Sequence, residues 1–136
     1  MDVAFAFVCD YADNSAKLTA VGVGFDTIYA KEVPLTQPAF HVVAAFRFKA
    51  AEAGTKTIEV HIIDADGGDI VPPLRTRMEI GRPNAGYRYR TQRIALGLHG
   101  VVFPAYGDYE VSWLVDGHEA TMIPIKVAPT PDQSQG

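Results

Sequence analysis

The segment from Tyr106 to Val127, "YGDYEVSWLVDGHEATMIPIKV", constrains the fold more than any other part of the chain. Asp116-Gly117 stands between two runs of alternating apolar residues, and this dipeptide favours a two-residue hairpin turn because both central residues need a positive φ. The turn sets the register: Val115 faces His118, Trp113 faces Ala120 and Val111 faces Met122, so Tyr109, Val111, Trp113, Val115, Ala120 and Met122 share one side. Ile123, Ile125 and Val127 fall on the opposite parity, which a regular strand cannot bury with the others. A bulge near Pro124 repairs the conflict. Proline also predicts an edge strand there, since it lacks the N–H that an inner strand donates.

The rest of the chain repeats this style. β-Branched and aromatic residues recur in short runs separated by Gly, Pro, Asn and Asp, without helical periodicity. Strands are predicted over 3–9, 18–25, 40–48, 57–63, 87–98, 109–115 and 118–127, with shorter edge pieces near Ile28 and Met78. In "FHVVAAFRF" the residues Phe40, Val42, Ala44, Phe46 and Phe48 share one face, while His41, Arg47 and Lys49 belong to the other; "TIEVHII" likewise puts Ile58, Val60 and Ile62 inward and Glu59 and His61 outward. The fold expected is all-β: one antiparallel β-sandwich of seven to eight strands, Ig-like or C2-like Greek key, spanning residues 1–128. With 136 residues and 48% hydrophobic content there is material for a single core. The polar end, residues 129–136, is expected to be a disordered tail.

Two resemblances follow from these residues. "GDYEVSWLVDG" followed by a strand ending in "PIKV" is similar to the last two strands of immunoglobulin-like sandwiches, and Tyr109 stands where such folds place a tyrosine corner. The disulfide framework of those domains is absent, because Cys9 is the one cysteine. "FVCDYAD", "KLTAVGVGFDTIYA" and "DADG" together resemble a family of short bacterial single-domain proteins of unknown function. That resemblance covers most of the chain and implies no site residues. A lone cysteine and an acidic, non-cleavable-looking N-terminus lead to the expectation of a cytoplasmic protein without a membrane span.

Motifs for chemistry are few. "IIDADGGDIV" sets Asp64, Asp66 and Asp69 around a glycine pair, but the glycine and the terminal glutamate of a calcium-binding loop are out of place, so the stretch reads as a turn. His41 and His61 point outward from strands that can be neighbours, with Glu59 near His61; with no third ligand of defined position, no metal site is assigned. No serine elbow or phosphate-binding glycine loop is present in the sequence, no catalytic residue is named, and no cofactor is expected.

The feature least expected by chance is residues 75–93, "RTRMEIGRPNAGYRYRTQR", which hold six of the chain's 12 lysines and arginines against one acid, Glu79. Arg75, Arg77, Tyr87, Arg88, Tyr89, Arg90 and Arg93 are the candidate binding residues, because guanidinium groups interleaved with aromatic rings grip carboxylates and phosphates. The bland reading is a solvated strand whose arginines pair with acids on a neighbouring strand. The function expected is a non-enzymatic binding or assembly module that engages a protein partner or a second copy, giving a homo-oligomer. The alternatives are an anion-binding module using this segment, with nucleic acid opposed by the net charge of −4, and an enzyme or metal protein without a readable motif.

Overall fold

The alternation in the predicted strands sets the architecture, and its interruptions set the boundaries. The computed structural model describes residues 1–131. Ten strands follow one another: β1 Asp2–Cys9, β2 Tyr11–Asp13, β3 Thr19–Val21, β4 Thr27–Ala30, β5 Leu35–Phe48, β6 Gly54–Asp64, β7 Leu74–Ile80, β8 Arg90–Phe103, β9 Gly107–Val115 and β10 His118–Pro129. The single helical piece among the described residues is a 3-10 turn, Ala50–Glu52. No helix is long and apolar enough to cross a membrane.

Three sheets form rather than the expected two. A three-stranded sheet has the order β1-β5-β8, a curled five-stranded sheet the order β4-β10-β9-β6-β7, and β2 pairs with β3 alone. Inward residues of the first two make one core. Val8, Phe40, Phe46 and Phe103 come from the small sheet, and Ile58, Ile62, Val111, Trp113 and Ile125 from the large one. Trp113 sits edge-on to Phe46 with ring centroids 5.9 Å apart. On its other face the small sheet is roofed by β2 and β3, where Ala12, Leu18 and Ala20 cover Phe7, Cys9 and Val43. Cys9 is a free, buried thiol whose pKa is raised by burial first and by the Asp10 carboxylate second.

Several expectations need correction. The strand predicted over 18–25 stops at Val21, because Gly22 takes a φ of +67°. A Cβ at that point would collide with the exposed Asp10 carboxylate, which would have to swing aside, and the positive φ strains any other residue there. The strand over 87–98 begins at Arg90 instead and continues to Phe103. Its partner β5 extends back to Leu35, beyond Pro38. The fully antiparallel pairing also fails, since β4 runs parallel to β10 from Thr27↔Lys126 to Ala30↔Pro129.

The hairpin register holds next to the turn, with His118 opposite Val115, but the bulge falls between Glu119 and Thr121, several residues before Pro124. Trp113 therefore faces Thr121, and Val111 faces Ile123. Ile125 and Val127 gain the buried side by this early shift. The last strand is not an edge along its whole length, because Lys126 and Val127 are paired on both sides, with β4 and with β9. Pro129, assigned to the tail, closes that ladder; residues 132–136 of the expected tail lie outside the described residues.

Candidate functional site

The six arginines lie along the passage of the chain from one sheet to the other. Arg75 and Arg77 lie on β7, the edge of the five-stranded sheet, and Arg90 and Arg93 on β8, the edge of the three-stranded sheet. Arg82, Tyr87, Arg88 and Tyr89 belong to the connection between them, which turns with Tyr87 N–H donating to the Asn84 carbonyl at 2.9 Å. All six arginines are exposed, as is Tyr87, whereas Tyr89 is half-buried. The Arg88 guanidinium carbon lies 5.6 Å from the Tyr89 ring centroid, within cation–π range.

Pairing with neighbouring acids holds for one of the six. Arg75 Nε meets Glu59 Oε1 at 3.3 Å, and no other residue of the segment has an ion-pair partner among the described residues. Arg93 donates instead to the Ala16 carbonyl at 3.5 Å, while its own carbonyl accepts from Asn14 Nδ2 at 3.1 Å. The tip of the β2–β3 hairpin thus caps part of the β8 edge.

Between the two edges lies a cavity of about 190 Å³, lined by Ile58, Leu74, Arg75, Thr76, Leu96 and Gly97. It exists because the sheets end on this side at β7 and β8 without a strand joining them. Leu74 and Leu96 are half-buried and form its apolar walls. Sequence reading missed this feature. The apolar residues that betray it, Leu74 and Leu96, sit on strands that are not hydrogen-bonded to each other.

The outer face of the five-stranded sheet carries an ionic row. Glu59 stands opposite Arg75 in the β6–β7 register, and an isolated bridge between Ile63 and Asp69 folds Asp69 back over β6. His61 Nε2–H donates to Glu59 Oε2 at 2.9 Å and Nδ1–H to Asp69 Oδ1 at 3.0 Å. Only imidazolium donates from both nitrogens. The Glu59 hydrogen bond, aided by Asp69 against some desolvation, raises the His61 pKa. His61 and then Arg75 lower that of Glu59. This is an electrostatic staple, and its ring nitrogens are occupied by different carboxylates rather than converging on a shared centre.

His41 does not join it. It lies on β5, in the other sheet, with its ring edge-on to Tyr11 at 5.1 Å, so the two histidines occupy different sheets. Asp64 closes the aspartate turn itself: its Oδ1 accepts the N–H groups of Asp66 and Gly68, each at 2.9 Å. Asp64 and Asp66 share a cavity with Asp108 and Tyr109, at the end of the strands away from Arg88 and Arg90. Among the described residues, no three His, Cys, Asp or Glu side chains gather in an arrangement that could hold a metal ion.

A family model described as a family of unknown function (DUF6941) matches residues 4–128. No curated protein matches the sequence. A crystal structure of β-glucosidase from Listeria innocua aligns with a TM-score of 0.50 at 11% identity, covering 76% of this chain and 15% of that one. A second structure of that protein, in complex with glucose, gives the same values. Pseudomonas fluorescens alkylpurine DNA glycosylase AlkC, bound to DNA containing an abasic site analog, aligns at 0.49 and 11% identity over 90% of this chain and 30% of its own. At such identities the similarity to the β-glucosidase is one of fold, and the chain spans a small part of each of these proteins.

Proposed function

We propose that this chain, which belongs to the DUF6941 family of unknown function, is a non-enzymatic binding module that engages an acidic protein partner through the arginine-rich side formed by residues 75–93. One observation carries this reading: Arg77, Arg82, Arg88 and Arg90 are exposed and have no carboxylate partner among the described residues, although the chain as a whole has more acids than bases. Exposed cations left without internal partners are free to meet external carboxylates, and guanidinium is the group best shaped for that contact. The scaffold we infer is an immunoglobulin-like sandwich. Its support is the facing order β1-β5-β8 and β4-β10-β9-β6-β7, together with the Tyr109 hydroxyl bonded back to Ala105 as in a tyrosine corner. A bacterial, cytoplasmic setting and a homo-oligomeric state belong to the same reading; the first rests on the family resemblance and the single cysteine, the second on the open first half of β10.

The test is titration with a polyglutamate peptide and with a single-stranded oligonucleotide of equal charge, at low and high salt. Salt-sensitive binding of the peptide that drops at least tenfold in the Arg82→Ala, Arg88→Ala, Arg90→Ala variant supports the proposal. Preference for the oligonucleotide replaces the protein partner with nucleic acid. No binding of either probe removes the reading.

A further inference from the structure

We infer that the partner segment is an extended strand which adds to the free edge of β7, with acidic side chains facing outward and aliphatic ones facing the cavity beside Thr76. The inference rests on the acidic-partner reading above and gives that partner a shape.

Among the described residues β7 pairs on one side only, with β6, so its other edge keeps unpaired backbone donors and acceptors. Such an edge is a template for a further strand. Side chains along β7 alternate between two environments. Arg75 and Arg77 point to the outer face, where Glu59 and Thr57 stand across from them, while Leu74, Met78 and Ile80 turn toward the core. Thr76 shares the inner parity and lines the cavity with Ile58, Leu74 and Leu96.

A strand laid along this edge must follow the same alternation, because neighbouring side chains on one face of a sheet lie side by side. Its outward residues then meet Arg75 and Arg77, and its inward residues enter the apolar cavity, which has room for an aliphatic side chain. The pattern required is acid and aliphatic in alternation. The β8 edge is the weaker host, since Asn14 already bonds to the Arg93 carbonyl there. A second copy docked edge to edge through the same side is disfavoured, because it brings arginines against arginines. The occupant is therefore a different, acidic segment.

The experiment compares two peptides of equal length and charge, one alternating valine with glutamate and the other alternating glycine with glutamate, titrated into the full chain. The valine peptide is expected to bind at least tenfold more tightly and to shift the NMR amide signals of Leu74 to Ile80. Filling the cavity from an exposed position with Thr76→Phe is expected to abolish the preference for valine, and a preference that survives this substitution overturns the cavity's part in it. Equal affinities, or amide shifts confined to the 82–90 connection, overturn the strand inference while sparing the electrostatic reading. Failure of both peptides overturns the two together.

Discussion

The Tyr109 hydroxyl donates to the Ala105 carbonyl at 2.6 Å and accepts the Ala105 N–H at 3.2 Å, so one side chain secures both polar groups of a residue four positions earlier. The ring is buried against Phe103, with centroids 5.0 Å apart. Tyr109→Phe keeps the packing and strands those groups. A loss of about 1–3 kcal/mol is expected, from the cost of unpaired polar atoms near a core. Urea unfolding that gives the same midpoint for both proteins would refute this account of the corner.

The His61 staple predicts a pH window. The His61 pKa is raised from 6.5, so its contribution to stability is complete below that value and is lost as pH rises through the higher folded pKa. The Glu59 pKa is lowered from 4.5, so its contribution is present above that value and is lost as pH falls through the lower folded one. Both contributions are complete between about pH 4.5 and 6.5. Proton NMR titration of His61 should give a midpoint above the free value, and Glu59→Gln should bring it down. A midpoint unmoved by that substitution rules the staple out.

The arginine side should be silent in stability. Arg82, Arg88 and Arg90 are exposed and unpaired among the described residues, so replacing all three by alanine is expected to change the unfolding free energy by less than about 1 kcal/mol. Partner binding, by contrast, should fall. A variant that unfolds shows instead that these residues hold the β7–β8 connection together.

Gly22 offers a sharper structural test. Alanine there meets the Asp10 carboxylate and must also adopt a φ near +67°, so a loss of at least about 1 kcal/mol is expected. Asp10→Ala removes the carboxylate part of the collision, keeps the close Cβ and leaves the backbone strain. The double variant should therefore be less stable than Asp10→Ala alone and more stable than the sum of the single losses predicts. Strict additivity in a thermal melt would show that the two residues do not press on each other.

Strand positions were legible wherever one face is apolar, as in "TIEVHII", because the two-residue period records the core directly; in "FHVVAAFRF" the second face is covered as well, with Val43 and Ala45 buried. Their ends were not. Gly22 stopped one strand early, and β5 and β8 continued past Pro38 as a mutually paired couple that neither sequence reveals alone. The bulge was inferred correctly from parity but misplaced, since parity states that a register shift must occur and says nothing of where. The arginine segment was visible as composition, yet its lack of ion pairs depended on which acids the fold brought near. His61 and Glu59 were readable as a pair, whereas Asp69 reaches them through a loop closure. The cavity had no linear signature at all, being a gap between two edges.

The parallel pairing of β4 with β10 also has a consequence in time. β10 is inserted between β9, its immediate predecessor, and β4, from which it is separated in sequence by β5 to β9. The β9–β10 hairpin can close locally and early, but the β4 seam must wait for a loop closure of the longest range that this topology contains. A ribosome-bound chain lacking residues 126–129 carries β4 without the strand that will hold it, and its Ile28 and Ala30 have no ladder to join. Acquisition of the last strand is thus the step at which the nascent large sheet acquires its far edge.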